Sequence, residues 1–203
     1  MINFSNEPGR KDETRHNKLN SETLHDSTVL QHQHQGVVYW FTGLSGAGKT
    51  TVGSLFFQRL RDQKNNVVYL DGDVLREVFS GSHGHSPEER KNLAMHYSRL
   101  SRMLAGQGMD VVIATISMFH DVRRWNRQNI ERYQEIYLKV PIDVLVKRDQ
   151  KGLYSRAIRG EVNNIIGLDV EVEEPKCPDH IIVNDGTNTP SQVTQALLDV
   201  MFP

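Results

Sequence analysis

Eight residues, Gly43-Leu44-Ser45-Gly46-Ala47-Gly48-Lys49-Thr50, constrain this chain more than any other stretch. They follow an apolar run, Val37 to Phe41, and open a stretch whose apolar residues Leu55, Phe56 and Leu60 fall at helical spacing. Glycines at both ends and a closing Lys-Thr, set between a strand and a helix, make the pattern of a phosphate-binding loop. Backbone amides there must approach phosphate oxygens in conformations a Cβ would obstruct, and the helix start adds unpaired N–H groups and a positive dipole end. On this reading Gly43, Leu44, Ser45, Gly46, Ala47, Gly48, Lys49, Thr50 and Thr51 hold ATP. Lys49 reaches the β and γ phosphates, and Thr50 ligates Mg²⁺.

The rest of the chain agrees with a sheet built around that loop. Short β-rich runs at Val37–Thr42, Asn66–Asp71, Asp110–Ser117, Glu135–Val140 and His180–Asn184 alternate with helical patterns. The helices are expected at Lys49–Gln63, Pro87–Ala105, Asp121–Glu131, Ile142–Arg148 and Pro190–Met201. This alternation predicts an α/β protein: a P-loop NTPase fold, with a doubly wound five-stranded parallel sheet and helices on both faces. The length of 203 residues with 37% hydrophobic content suits one such domain, at 36–203. Residues 1–35 are rich in Asn, Gln, His and Ser and read as a flexible polar arm. The histidines there (His16, His25, His32, His34), like His83 and His85, are read as solvated rather than metal-binding.

Charge and composition exclude several partners. Lys and Arg number 24 against 25 Asp and Glu, so there is no general basic field of the kind that holds nucleic acid. No apolar run approaches the roughly 20 residues needed to cross a bilayer, the start shows no apolar leader, and the only cysteine, Cys177, has no internal partner. Cytoplasm is the expected location, and a small molecule the expected partner.

The loop by itself does not separate a switch GTPase, a motor ATPase and a metabolite kinase. No Asn-Lys-x-Asp sequence follows a later strand, and the Asp110–Ser117 strand does not end in Asp-Glu, so the kinase is favoured. The second strand instead ends in Asp71-Gly72-Asp73, which sets two carboxylates at the carboxyl edge of the sheet, where open α/β sheets bind ligands. Such carboxylates can take the proton of an attacking hydroxyl or hold Mg²⁺ through water. Lys147, Arg148, Lys151, Arg156 and Arg159, with Gly152 and Gly160 between them, read as a cationic lid over the γ phosphate.

The Phe41–Thr51 segment, Leu70-Asp71-Gly72-Asp73 and Arg148-Asp149-x-Lys151-Gly152-Leu153-Tyr154, in that order, resemble the adenylylsulfate kinases. In that family ATP phosphorylates the ribose 3′-hydroxyl of adenosine 5′-phosphosulfate, and its members often form homodimers. The resemblance implies catalytic roles for Lys49, Asp71, Asp73 and Ser117. It implies acceptor contacts from Asp73, Arg76, Arg90, Ile116, Ser117, Lys151, Gly152, Leu153 and Tyr154. Departures cluster on the acceptor side: Gly84-His85-Ser86 stands where the family reads Gly-Phe-Ser, and Ile116-Ser117-Met118-Phe119 where it reads Ile-Ser-Pro-Phe. Arg124-Trp125-Asn126-Arg127 and Asn164–Asp169 look similar to a side branch found with capsule biosynthesis, whose acceptor is cytidine diphosphoramidate. Trp125 is read either as an added stacking surface or as a core residue of its helix. The leading expectation is adenylylsulfate phosphorylation, with the cytidine compound as the alternative. A regulatory ATP-binding module without an acceptor is the rival of another class.

Overall fold

The computed structural model describes residues 35–79, 86–163 and 165–203. The arm expected at 1–35, apart from its last residue, and His83, Gly84, His85 and Asn164 fall outside the described residues. Five strands form one parallel sheet in the order β2-β3-β1-β4-β5. They are β1 (Val38–Thr42), β2 (Val67–Asp71), β3 (Asp110–Ala114), β4 (Tyr133–Lys139) and β5 (His180–Val183). β1 lies in the middle and is buried along its whole length. Its residues alternate between two cores, as a strand covered on both faces requires. Tyr39 and Phe41 face one core, where α1 (Lys49–Arg61) contributes Phe56 and Leu60 and α7 (Pro190–Met201) contributes Val193 and Leu197. Val38 and Trp40 face the other, with Leu93, Ala94 and Tyr97 from α3 (Pro87–Gly106) and Val122 from α4 (His120–Asn129).

Local signals account for the helix starts. Ser86 and Glu89 form a reciprocal capping box ahead of α3, with Pro87 in its first turn, and Thr189, Pro190 and Gln192 repeat the device at α7. Two short helices were not expected from the sequence. α2 (Gly72–Val78) begins directly at the end of β2, because the Asp71 carboxylate caps it by accepting the Asp73 N–H at 2.8 Å. α6 (Leu153–Ile158) follows α5 (Ile142–Arg148) through a 3₁₀ turn, Gln150–Gly152. Asp149, at φ +35°, accepts the N–H groups of Tyr154 and Ser155 at 2.9 and 3.0 Å and so holds the start of α6. β3 ends at Ala114 rather than Ser117, since the chain turns away there and Ser117 takes φ +27°. Trp125 packs against the α3/α4 core and is not part of the cleft wall, which decides between its two readings.

A buried ionic cluster ties α4 to the sheet. Glu135 on β4 is 2% exposed and pairs with Arg123 at 3.6 Å and Arg127 at 3.2 Å. Arg127 continues to Asp179 at 3.0 Å, and Arg123 reaches the Glu173 carbonyl. The 173–179 segment is thereby fastened beside β4. Burial raises the Glu135 pKa above the usual carboxylate range, with the two guanidiniums opposing it.

Candidate active site

The phosphate loop leaves the carboxyl end of β1 and turns into α1. A Cβ at Gly43 would sit 2.6 Å from the Leu138 carbonyl oxygen, and one at Gly48, where φ is +91°, would meet the Asn184 amide nitrogen at 2.7 Å. Only glycine fits those two places. Four consecutive carbonyls of the loop are each held by a side chain. Lys49 Nζ donates to Leu44 O at 2.8 Å, the Tyr154 hydroxyl to Ser45 O at 2.9 Å, Arg148 Nη1 to Gly46 O at 3.3 Å, and Asn184 Nδ2 to Ala47 O at 2.8 Å. A trans peptide sets each carbonyl opposite the next N–H. Fixing the carbonyls of Leu44, Ser45 and Ala47 therefore also fixes the amides of Ser45, Gly46 and Gly48, three residues that line the cleft.

Across from the loop, β2 delivers the carboxylates. Asp71 Oδ2 accepts the Thr50 hydroxyl at 2.8 Å and lies 3.4 Å from the Tyr69 hydroxyl, while Oδ1 is occupied by the Asp73 N–H. Asp71 is thus tied to the loop and its helix. Asp73 stands in the first turn of α2, exposed on the cleft wall. Burial pushes the Lys49 pKa down to about 8, although Asp73 and then Asp71 pull the other way. Burial, and next the charge of Asp71, push the Tyr69 hydroxyl well above its usual range, so it stays a donor.

The far wall carries Arg76 from α2 and Arg90, Leu93 and Tyr97 from α3, with Ile116, Ser117, Phe119, Gln150 and Ile166 closing the sides. Burial, and then the neighbouring charge of Arg76, lower the Arg90 pKa, with Asp169 opposing. Two cations held this close are suited to an acidic ligand. Ser117 is buried with its hydroxyl 2.7 Å from that of Thr115, and the Tyr97 hydroxyl donates to the Gly72 carbonyl at 3.1 Å.

Most sequence-expected residues meet in this cleft: Ser45, Gly46, Gly48, Lys49, Thr50, Thr51, Asp71, Asp73, Arg76, Arg90, Ile116 and Ser117. Gly43, Leu44 and Ala47 shape the loop from behind. The lid expectation needs correction. Gly152, Leu153 and Tyr154 do not line the cleft, Tyr154 is 0% exposed, and Gln150 takes the wall position instead. Lys147 pairs with Asp143 on its own helix, Arg156 and Arg159 share Glu161, and Arg148 is spent on the loop and the Asn184 carbonyl. The Lys151 side chain is outside the described set. Leu93 and Tyr97 were missed, although they follow Arg90 at three and seven residues and so share its helix face. For Phe119, Ile166 and Asn184 no spacing signal existed.

Residues 35–183 match the family described as adenylylsulphate kinase. The chain belongs to that family. It is an ATP-dependent kinase, and the sheet and loop described above are the P-loop NTPase fold of its relatives. Cytidine diphosphoramidate kinase of Campylobacter jejuni is 36% identical over 161 residues, covering 79% of this chain and 94% of its own length. A probable adenylyl-sulfate kinase of Archaeoglobus fulgidus is 38% identical over 148 residues, covering 73% and 96%. Among solved structures, the Mycobacterium tuberculosis APS kinase in complex with AMPPNP and APS superposes with a TM-score of 0.77 at 28% identity, over 84% of this chain and 100% of that one. No helix among the described residues is long and apolar enough to cross a membrane.

Proposed function

We propose that this kinase transfers the γ-phosphoryl group of ATP to a ribose hydroxyl of an activated nucleotide in the cytoplasm, as a homodimer of the kind its family often forms. The observation that carries the reading is the Asp71 and Asp73 pair at the end of β2, facing Lys49 across one cleft with Arg76 and Arg90 beyond. Mg²⁺ fits there: Thr50 Oγ1 and Asp71 Oδ2 are hard oxygen donors 2.8 Å apart at the start of α1. Bound at that point, the ion would neutralise phosphate charge. The loop amides and Lys49 orient the phosphates and stabilise the charge that develops on transfer. Asp71 is held by Thr50 and by the Asp73 N–H, which suits it to orienting the loop and serving the metal. Asp73, on the open wall toward the arginines, accepts the proton of the attacking hydroxyl. Arg76 and Arg90 bind the acidic group of the acceptor.

Two acceptors fit this scheme, adenylylsulfate and cytidine diphosphoramidate, and we favour the cytidine compound. One departure from the adenylylsulfate pattern sits directly behind the acceptor wall: Met118, buried at 2% exposure, replaces the family proline between Ser117 and Phe119, which line the cleft. Relatives of both names match over nearly their whole length, so the preference rests on that substitution. The test is ADP release with Mg·ATP and either acceptor or none. Stimulation by the cytidine compound alone supports the preference, and stimulation by adenylylsulfate alone reverses it. Acceptor-independent hydrolysis, or parental turnover in Lys49→Ala, would sink the kinase scheme. Asp73→Asn is expected to lower kcat by a factor of about 10² or more while ATP affinity holds.

A further inference from the structure

We propose that Tyr154 is a positioning residue for the ATP phosphates, acting from behind the loop through the Ser45 carbonyl; this rests on the ATP-binding reading above but not on the acceptor. The resemblance to the family placed Tyr154 beside the acceptor. In the structure its ring is buried in the α1/α7 core, and its hydroxyl donates to Ser45 O at 2.9 Å.

The need for such a support follows from the loop itself. Gly46 and Gly48 sit at φ +78° and +91°. The glycines that let amides approach phosphate also leave the neighbouring peptide planes free to rotate. Without outside support, the N–H of Gly46 has no fixed direction. Tyr154 fixes it, because the Ser45 carbonyl and the Gly46 N–H are opposite ends of one planar unit. The tyrosine is held in turn. Asp149 accepts its N–H at 2.9 Å, and Gly152, at φ +64°, turns the chain into α6. Gln150, four residues earlier, lines the cleft. One short segment thus supports the phosphate loop with a buried hydroxyl and contributes to the cleft wall.

Tyr154→Phe removes the hydroxyl and keeps the ring, so packing is preserved and the support is lost. Binding of Mg·AMPPNP to the full chain, measured by calorimetry, reads the loop without any acceptor. The Kd in Tyr154→Phe is expected to rise about fivefold or more, since a loop carbonyl loses its partner. The KM for ATP should rise in parallel, with the acceptor KM staying within about twofold. A Kd within about twofold of the parent would overturn the inference, as would equal rises in both KM values, which mark a general loosening. A parent chain that does not bind Mg·AMPPNP would overturn the ATP reading, and this inference with it.

Discussion

Lys49 lets the electrostatics of the loop be tested with pH alone. Its pKa of about 8 arises because burial disfavours the ammonium more than Asp73 and Asp71 favour it. ATP brings negative charge to the same place and binds the protonated form, so binding above pH 8 must take up a proton. With that pKa, about nine-tenths of Lys49 is charged at pH 7, about half at pH 8 and about one-tenth at pH 9. The Kd for Mg·ATP should therefore weaken about tenfold between pH 7 and pH 9, most of it above pH 8. Calorimetry in two buffers of different ionisation enthalpy would show uptake approaching one proton at pH 9. Lys49→Arg, which never deprotonates, should bind with a flat profile across the same range. A flat parental profile, or the same slope in Lys49→Arg, would refute the argument. The stability term has the opposite sign. The unfolded chain holds this proton up to the usual lysine range while the folded chain releases it near pH 8, so Lys49 adds stability as pH rises through that window.

Two further perturbations test the scaffold. Arg123→Met leaves Glu135 buried with only Arg127 as a cation and should cost about 3 kcal/mol, lowering Tm by roughly 6–12 °C, whereas adding Glu135→Leu should recover part of the loss. A single variant as stable as the parent by thermal unfolding would remove the cluster's structural role. Gly48→Ala forces an L side chain to φ +91° and a Cβ to within 2.7 Å of Asn184 Nδ2. It should lower Tm and abolish Mg·AMPPNP binding, and a normal Kd would contradict the loop geometry.

The parts legible in the sequence are those encoded by neighbours along the chain. The phosphate loop, the five strands and the helices α1, α3, α4, α5 and α7 follow from periodicity, capping residues and glycine placement, each a matter of a few adjacent residues. Arg90, Leu93 and Tyr97 belong in that class too, since a helix face is a local property. α2 was missed because Asp-Gly-Asp is an equally good turn, and only the fit of Asp71 against Thr50 and Tyr69 makes it a cap.

Tertiary structure alone decided the rest, because the decisive contacts join residues far apart in sequence. Tyr154 lies 109 positions from Ser45 and Asn184 137 from Ala47, and no spacing rule reaches across such gaps. A Lys-Gly-Leu-Tyr segment names a family but not a direction. Whether its tyrosine faces the acceptor or the back of the loop depends on where α5 and the 3₁₀ turn deposit it. The same holds for four of the cations read as a lid, Lys147, Arg148, Arg156 and Arg159, which pair with Asp143, the loop and Glu161. Sequence determined which chemistry the chain carries, through residue types at short spacing. Packing determined which of those residues meet the ligand and which hold the others still.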